Sequence, residues 1–504
     1  MTDISNRFFG FALAAILILQ IFAGLWHIGD SFIDGRYHYN WGPPFWLMHA
    51  QTINEVGLPA TYFGIKDYPS HPQLLGPIIA LWTSSFGYSE ASIRALALSL
   101  TVLATLFLTL ATRSFIGNKR ALLFSVFLAS LPIIYIYGKK LDQEVLLLVF
   151  LGIHLWGIGL FEKSKKIALT LVTVGSLGMM LSDWSGAVFA FATALGAVVA
   201  WGWRERKLDI ISLSSFSFVA SGIGLLLFLF QSYLQSAANS VNEFINGYIN
   251  LWKYRAGANT DNFSFFSWPV NQIKFILVNF NLLVFFAGCF GLLSRLRNKI
   301  KEKDQKLWEL SVFVTAIFLG SITYMLVVPQ ASAIHVYYQY YWSIPIALGL
   351  VFVVESIASK FKTKNRDGAF IMCALLTFAI TVGTTMYQYN QLLFVNSWGN
   401  ETDIKLIESI REFPSEETIY TANDNPLALS WFQNPNIRYY AGREIKGYLF
   451  SEAIPLPDYF ILPQFFADDV TAFINSGEGY GNDVSATKER CSDNLCLIKT
   501  RINK

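Results

Sequence analysis

Long apolar runs separated by short polar stretches dominate this chain, and their lengths predict membrane-spanning helices. A span needs about twenty apolar residues, fewer where the bilayer is thin. The runs that qualify are Phe8–Ile28, Ala91–Thr112, Ala121–Tyr137, Val145–Phe161, Ile167–Leu181 and Trp184–Trp201. Five more follow at Ile210–Gln231, Phe275–Leu293, Leu310–Val328, Val336–Val354 and Ala369–Met386, which gives about eleven spans. Leu74–Phe86 is also apolar, but it is short and carries Gly76 and Pro77.

Loop charge decides how to read that short run. If Leu74–Phe86 lies flat, five basic clusters share one side: Arg113/Lys119/Arg120, Lys163/Lys165/Lys166, Arg204/Arg206/Lys207, Arg295 through Lys306, and Lys360 through Arg366. If it spans, every later cluster flips away from Arg7. The positive-inside rule therefore places it in the interface. The N-terminus is then cytoplasmic and the C-terminus outside. Two long outer loops result, 29–90 and 232–274, with the segment near Phe45–Met48 also lying flat.

Residues 1–388 thus read as a transmembrane domain and 389–504 as a soluble extracytoplasmic domain. In the tail, Asp403–Phe413, Pro426–Phe432 and Phe465–Ile474 carry helical patterns. Glu417–Thr421, Ile437–Tyr440 and Asp458–Leu462 read as strands, so a small α/β domain is predicted. The expected fold class is an α-helical polytopic membrane protein with that domain at its C-terminus.

Composition agrees with the pattern. Apolar residues make up 53% of the 504 and charged residues only 14%. Soluble domains carry about a quarter charged residues, so lipid must solvate most of this chain. A net charge of +3 gives no reason to expect nucleic acid, because the basic residues sit in short clusters between apolar runs. Membrane lipids are the expected surroundings, in a bacterial inner (plasma) membrane. The run after Arg7 has no small-x-small cleavage site behind it and reads as a retained helix. Cys289 and Cys373 fall in apolar runs as packing residues, whereas Cys491 and Cys496 flank Ser-Asp-Asn-Leu in the tail. That spacing fits a hairpin disulfide in an oxidising compartment, or two free thiols in the cytosol.

Chemistry collects on the outer side. Lys139 and Lys140 occupy a short outer turn, with Asp142 just before the next helix. Lysines are expected inside, so the pair either snorkels to headgroups with Asp142 as counterion or holds an anionic ligand such as a lipid phosphate. Asp34 lies in Phe-Ile-Asp-Gly-Arg-Tyr-His-Tyr-Asn, beside Gly35 and four polar-tipped side chains. An isolated loop aspartate is usually only solvated; its surroundings make this one a candidate. His71, Arg94 and Asp183 add polar groups on the same side, and His335 opens the aromatic run Val-Tyr-Tyr-Gln-Tyr-Tyr-Trp, which also suits plain anchoring. His154, mid-helix, reads as a packed interface histidine in preference to a proton relay. No His/Asp/Glu cluster has metal-ligand spacing, so no cofactor is expected, while a divalent cation stays open.

The order of these features is similar to that of a known family. It runs from an Asp in the first outer loop to Tyr-Pro-Ser-His-Pro-Gln-Leu, then Gly-Tyr-Ser-Glu-Ala-Ser-Ile-Arg, Pro132, Lys-Leu-Asp-Gln-Glu and Asp-Trp. This resembles the GT-C superfamily of glycosyltransferases, in the branch of protein O-mannosyltransferases and the lipid A aminoarabinose transferase. The resemblance spans about residues 8–350 and is strongest from His71-Pro72 through Arg94. It implies a catalytic, acceptor-activating acid at Asp34. It also implies substrate-binding roles for His71, Arg94, Lys139, Lys140 and Asp142, with Asp183 and His335 as further candidates. Gly35 stands where protein mannosyltransferases carry the second member of an Asp-Glu pair, which argues against protein mannosylation itself.

The implied activity is hexosyl or pentosyl transfer from a polyprenyl-phosphate sugar to a lipid, glycan or protein hydroxyl at the outer face, with inversion. Such a carrier leaves as a stable anion, so a carboxylate and several cations suffice. The rival is a transporter or flippase of a lipid-linked glycan. That rival predicts two related halves and ionisable groups at the midplane, and the sequence shows neither. A structural membrane protein whose tail is an assembly module is a second rival.

Overall fold

The computed structural model describes the chain except for residues 1–3, 27, 29–41, 58–71, 73, 203–205, 237–239, 258–263, 298–304, 362–365, 393–400, 415, 423–440, 442–445, 449–455, 477–483, 493–494 and 503–504. Two compact units emerge, one built from Met1–Gly29 and His49–Gln391, the other containing Leu392–Lys504.

The first unit is helical. Its elements are α1 (Asn6–Leu25), α2 (Gly42–Val56, in this unit from His49 onward), α3 (Leu75–Phe86), α4 (Glu90–Ile116), α5 (Asn118–Ser130), α6 (Pro132–Tyr137), α7 (Gln143–Leu160), α8 (Lys165–Ser182) and α9 (Ser185–Gly202). They continue with α10 (Lys207–Gln235), α11 (Val241–Arg255), α12 (Ser267–Asn279), α13 (Leu282–Arg297), α14 (Gln305–Val327) and α15 (Pro329–Ile334). A 3-10 helix (Val336–Trp342) leads into α16 (Ser343–Ser359), and α17 (Arg366–Leu392) closes the unit. Nine described helices are long and apolar enough to cross a membrane, counting the 3-10 helix with α16 as one, and the bent pair α12–α13 makes ten. This is a polytopic membrane protein.

Burial separates core from lipid face. Helix α7 is buried along most of its length, between α4 and α8. Helices α1, α10 and α17 instead expose Phe11, Leu19, Phe22, Leu226, Phe230, Leu375 and Leu376, as helices bordering lipid should. Small residues allow the closest crossing. A Cβ on Gly349 of α16 would lie 1.8 Å from the Gly288 carbonyl oxygen of α13, so the two backbones touch there.

The charges sort to opposite ends of this unit. At one end Lys119 meets Asp367 (3.4 Å) and Arg120 meets Glu355 (2.6 Å). A second group there joins Glu162, Lys165, Arg206, Asp209 and Lys306, with Arg206 and Lys306 at 3.1 and 2.7 Å from Glu162. All of these residues lie where α4, α7, α14 and α16 turn away from the other end, which carries Arg94, Lys139, Lys140, Asp183 and His335.

Three elements depart from the expected straight spans. Ala121–Tyr137 is two helices, because Pro132 starts α6 with no N–H to continue α5. Phe275–Leu293 is bent by 97° between α12 and α13, at Asn281, whose φ of 64° is left-handed. Between two of the apolar runs, Pro329–Ile334 forms α15, and the following span opens as a 3-10 helix. The second long loop also contains α11, an amphipathic helix capped by Ser240. Leu75–Phe86 is short and packs by its Gly76 face on the His49 ring of α2.

In the second unit, α18 (Glu401–Ser409), β1 (Ile419–Ala422), β2 (Lys446–Tyr448), β3 (Tyr459–Pro463), α19 (Gln464–Asn475), β4 (Val484–Cys491) and β5 (Leu495–Ile502) are described. The strands form a five-stranded sheet of order β2-β1-β3-β5-β4. β1 pairs in parallel with β2 and β3, whereas β5 runs antiparallel to β3 and β4. Helix α19 covers one face through Ala467, Val470 and Ile474 against Phe460, Leu462 and Ile498. Cys491 and Cys496 are disulfide-bonded directly across the β4–β5 pair. The predicted helix Pro426–Phe432 and strand Ile437–Tyr440 lie outside the described residues.

Candidate functional site

Helix α6 and the turn after it place the two lysines. Gly138 sits where α4 comes closest: a Cβ there would fall 2.2 Å from the Ile134 carbonyl oxygen and 2.9 Å from Thr101 Cγ2. The Thr101 hydroxyl donates to the Gly138 carbonyl (2.8 Å) and the Lys140 N–H to Tyr137 (2.9 Å), which fixes the turn. Both lysine side chains are then forced inward. Lys139 and Lys140 are 1% and 4% exposed, which a snorkelling lysine would not be.

Each buried ammonium has distinct partners. Lys139 donates to the Trp26 carbonyl at the end of α1 (2.8 Å) and lies 4.9 Å from the centre of the Tyr135 ring. Lys140 lies 3.3 Å from Asp142 and 4.0 Å from the centre of the Tyr337 ring. Arg94 is also buried and donates to the Ile28 carbonyl (3.5 Å). Two cations therefore meet carbonyls at the C-terminal end of α1, where the helix dipole favours positive charge.

The acids gather beside Lys140. Asp142 caps α7 by accepting from the Gln143 N–H (3.0 Å). Glu144 follows in the first turn, and its Oε2 is buried without a hydrogen-bond partner among the described residues. Asp183 ends α8 and accepts from the Ser185 N–H (3.1 Å) and hydroxyl (2.5 Å). Ser185 in turn contacts the Tyr341 hydroxyl (3.3 Å). Asp142, Asp183 and Lys140 all act electrostatically on Glu144, so these groups form one charged cluster.

An aromatic wall closes the cluster. His335, Tyr337 and Tyr338 stack on one another, with centroids 5.1–6.2 Å apart, and Tyr324 of α14 stacks on Tyr338. From α11, Arg255 acts on Tyr324 and Tyr338. Tyr248 of the same helix packs against Trp184, and burial pushes its phenol up from the ordinary range.

The structure thus brings Lys140, Asp142, Asp183 and His335 into one neighbourhood, with Lys139 and Arg94 against the end of α1. Asp34 and His71 lie outside the described residues. Sequence reasoning passed over Glu144, Ser185, Tyr341 and Arg255. Glu144 was visible within Lys-Leu-Asp-Gln-Glu; Arg255 carried no local signal. Among the described residues, no three His, Cys, Asp or Glu side chains are placed to hold a metal ion.

No family model matches the sequence, and neither does any curated protein. Solved structures do. ArnT from Cupriavidus metallidurans, bound to undecaprenyl phosphate, superposes with a TM-score of 0.64 over 98% of both chains at 11% identity. The chain has the GT-C fold. The Archaeoglobus fulgidus oligosaccharyltransferase gives 0.57 at 13% identity, covering 94% of this chain and 69% of that one. The mycobacterial arabinofuranosyltransferase AftD gives 0.50 at 13% identity, covering 99% of this chain and 40% of that one. At these identities the likeness establishes a GT-C architecture, and the chemistry must be argued from the chain's own residues.

Proposed function

We propose that this GT-C chain is an integral-membrane glycosyltransferase that takes its sugar from a polyprenyl-phosphate carrier at the outer membrane face. The observation that carries the reading is Lys140, a buried ammonium between Asp142 (3.3 Å) and the Tyr337 ring (4.0 Å) at one end of the bundle. Ionisable groups inside a membrane bundle pair with one another or with backbone carbonyls, as both lysines do, and mark substrate sites. The likeness to a protein solved with undecaprenyl phosphate supports the same ligand chemistry.

In this reaction the acceptor hydroxyl attacks the anomeric carbon from the face opposite the phosphate. The new C–O bond forms as the bond to the phosphate oxygen breaks, which inverts the centre. The proton goes to Asp34, and the phosphate leaves with the bonding electrons. Lys140, Lys139 and Arg94 stabilise that charge in a medium where each cation acts more strongly than in water. Aligning two amphiphiles at one bilayer depth supplies further rate. A hexose or pentose donor and a lipid, glycan or protein acceptor are all compatible with this kit.

Purified protein is to be assayed with a panel of polyprenyl-phosphate sugars and lipid or glycan acceptors, with Asp34→Ala in parallel. Release of free polyprenyl phosphate that disappears in folded Asp34→Ala supports the assignment. Carrier binding with no release across a broad panel would replace it with the transporter reading.

A further inference from the structure

The 3-10 segment that carries the aromatic wall is seven residues long, Val336–Trp342. Runs beyond three or four residues are uncommon in this geometry because its hydrogen bonds are poorer. Something outside the segment must hold it, and helix α12 supplies that support. Trp268, Asn271, Gln272 and Asn279 fall on one face of α12 and all reach residues 332–339. The Trp268 indole N–H donates to the Ser332 hydroxyl (2.8 Å) and the Asn271 amide to the Ala333 carbonyl (3.2 Å).

The centre of this contact is a chain of three buried amides. Gln272 donates to the Ser332 carbonyl (2.7 Å), and Asn279 donates to the Val336 carbonyl (3.0 Å). Gln339 joins them: its Nε2 donates to the backbone and side-chain oxygens of Gln272 (3.0 and 2.9 Å), and its Oε1 accepts from Asn279 (3.1 Å). All three residues are almost fully buried, at 4%, 0% and 0% exposure for Gln272, Asn279 and Gln339. The two pinned carbonyls, of Ser332 and Val336, bracket His335. Tyr337, which covers the Lys140 ammonium, follows at once. In a dry site such a network rigidifies what it touches, and each amide has few alternative partners.

We infer that the Gln272–Gln339–Asn279 amide chain is a positioning device that sets the Tyr337 ring over Lys140 and so shapes the phosphate-binding cation. Its role in ligand binding rests on the proposed function; its effect on Lys140 does not. The bend between α12 and α13 fits the role, because it lets α12 pack on α15 and the 3-10 segment while α13 packs on α16.

The test uses full-length protein in lipid nanodiscs with Gln339→Met, which keeps side-chain length and removes the three hydrogen bonds of the Gln339 side chain, and with Asn279→Leu, which removes the bond to the Val336 carbonyl, as an independent second cut. Accessibility is read by acylation with a small amine reagent and peptide mass spectrometry, and Lys139 is the internal control because the Trp26 carbonyl holds it. The expected result is acylation of Lys140 at least tenfold faster in either variant, with Lys139 unchanged. Unchanged Lys140 labelling in both variants, or Lys139 and Lys140 rising together, would overturn the inference. Binding of undecaprenyl phosphate forms the second arm. It should weaken about tenfold in Gln339→Met, and the loss should vanish in a Lys140→Ala background, which a general loss of packing would not do. If Lys140 alone becomes reactive while wild-type protein binds no polyprenyl phosphate, the positioning device stands and the donor assignment falls.

Discussion

Lys140 and Tyr337 meet across the bundle end, with the ammonium 4.0 Å from the centre of the ring. The contact joins the turn before α7 to the 3-10 segment before α16, elements far apart in sequence. A ring face attracts a cation without neutralising it, whereas Asp142 at 3.3 Å neutralises it once. Lys140 is therefore held in place by one partner and balanced by the other. An incoming phosphate would compete with Asp142 for the ammonium and leave the ring contact intact.

That arrangement separates stability from function. The side chains of Lys140 and Asp142 are 3% and 16% exposed, so removing one strands the other in a dry site. Lys140→Met should cost about 3–5 kcal/mol, read as a fall in the thermal midpoint in detergent. Adding Asp142→Leu should restore only part of that loss, because it removes the stranded Asp142 charge but also the α7 cap, and leaves Glu144 and Asp183 without Lys140. Transfer should stay at least about 100-fold down in both variants if Lys140 stabilises the leaving phosphate. Wild-type turnover per folded molecule in the double variant would remove Lys140 from the reaction.

How far the sequence revealed this site depended on range. The span pattern, the lysine pair and Asp142 were legible because hydropathy and loop charge are local properties. Pro132 also announces a helix start, although its consequence, a break within the third span, shows only in three dimensions. The bend at Asn281 was hidden, since a left-handed residue inside an apolar run leaves the hydropathy unchanged. Gln272, Asn279 and Gln339 looked like scattered amides until the bend brought α12 against the 3-10 segment. In the tail, strand β4 reads Val-Ser-Ala-Thr-Lys-Glu-Arg-Cys, mostly exposed beyond Ala486, so no alternating apolar face marked it.

The α13–α16 crossing offers a prediction about packing alone. A Cβ on Gly349 would sit 1.8 Å from the Gly288 carbonyl oxygen, and one on Gly291 would sit 2.1 Å from the Gly349 carbonyl oxygen. Backbone cannot rotate away as a side chain can. Gly349→Ala should therefore cost about 1–3 kcal/mol through forced separation of the helices. Thermal unfolding in a fixed detergent measures this, and an unchanged midpoint would show that the crossing has slack.

His154 links α7 to its neighbours. Its Nε2 lies 2.9 Å from the Thr193 hydroxyl and its Nδ1 3.1 Å from the Ser176 hydroxyl. Nδ1 also lies 3.3 Å from the Val172 carbonyl, so both ring nitrogens are engaged whichever of them carries the hydrogen. A neutral ring with both nitrogens engaged is a structural bridge. His154→Leu should lose about 1–3 kcal/mol of stability while turnover per folded molecule is unchanged. A specific loss of turnover at normal stability would instead support a proton relay.

The disulfide allows the tail to be probed on its own. Cys491 and Cys496 face each other across β4 and β5, and they close a loop with a sequence separation of five. For so short a loop the chain-entropy model gives about 2 kcal/mol of stabilisation. Cys491 is the better residue to replace, because it is exposed whereas Cys496 is fully buried and packs in the sheet core. Cys491→Ser should speed protease cleavage within residues 392–504 and leave bundle cleavage unchanged, since α19, β3 and β5 form a core of their own. Reductant should produce the same acceleration in wild-type protein and none in the variant. If reductant accelerates cleavage equally in both, the bond contributes nothing, and the hairpin is held by its ladder and the α19 face alone.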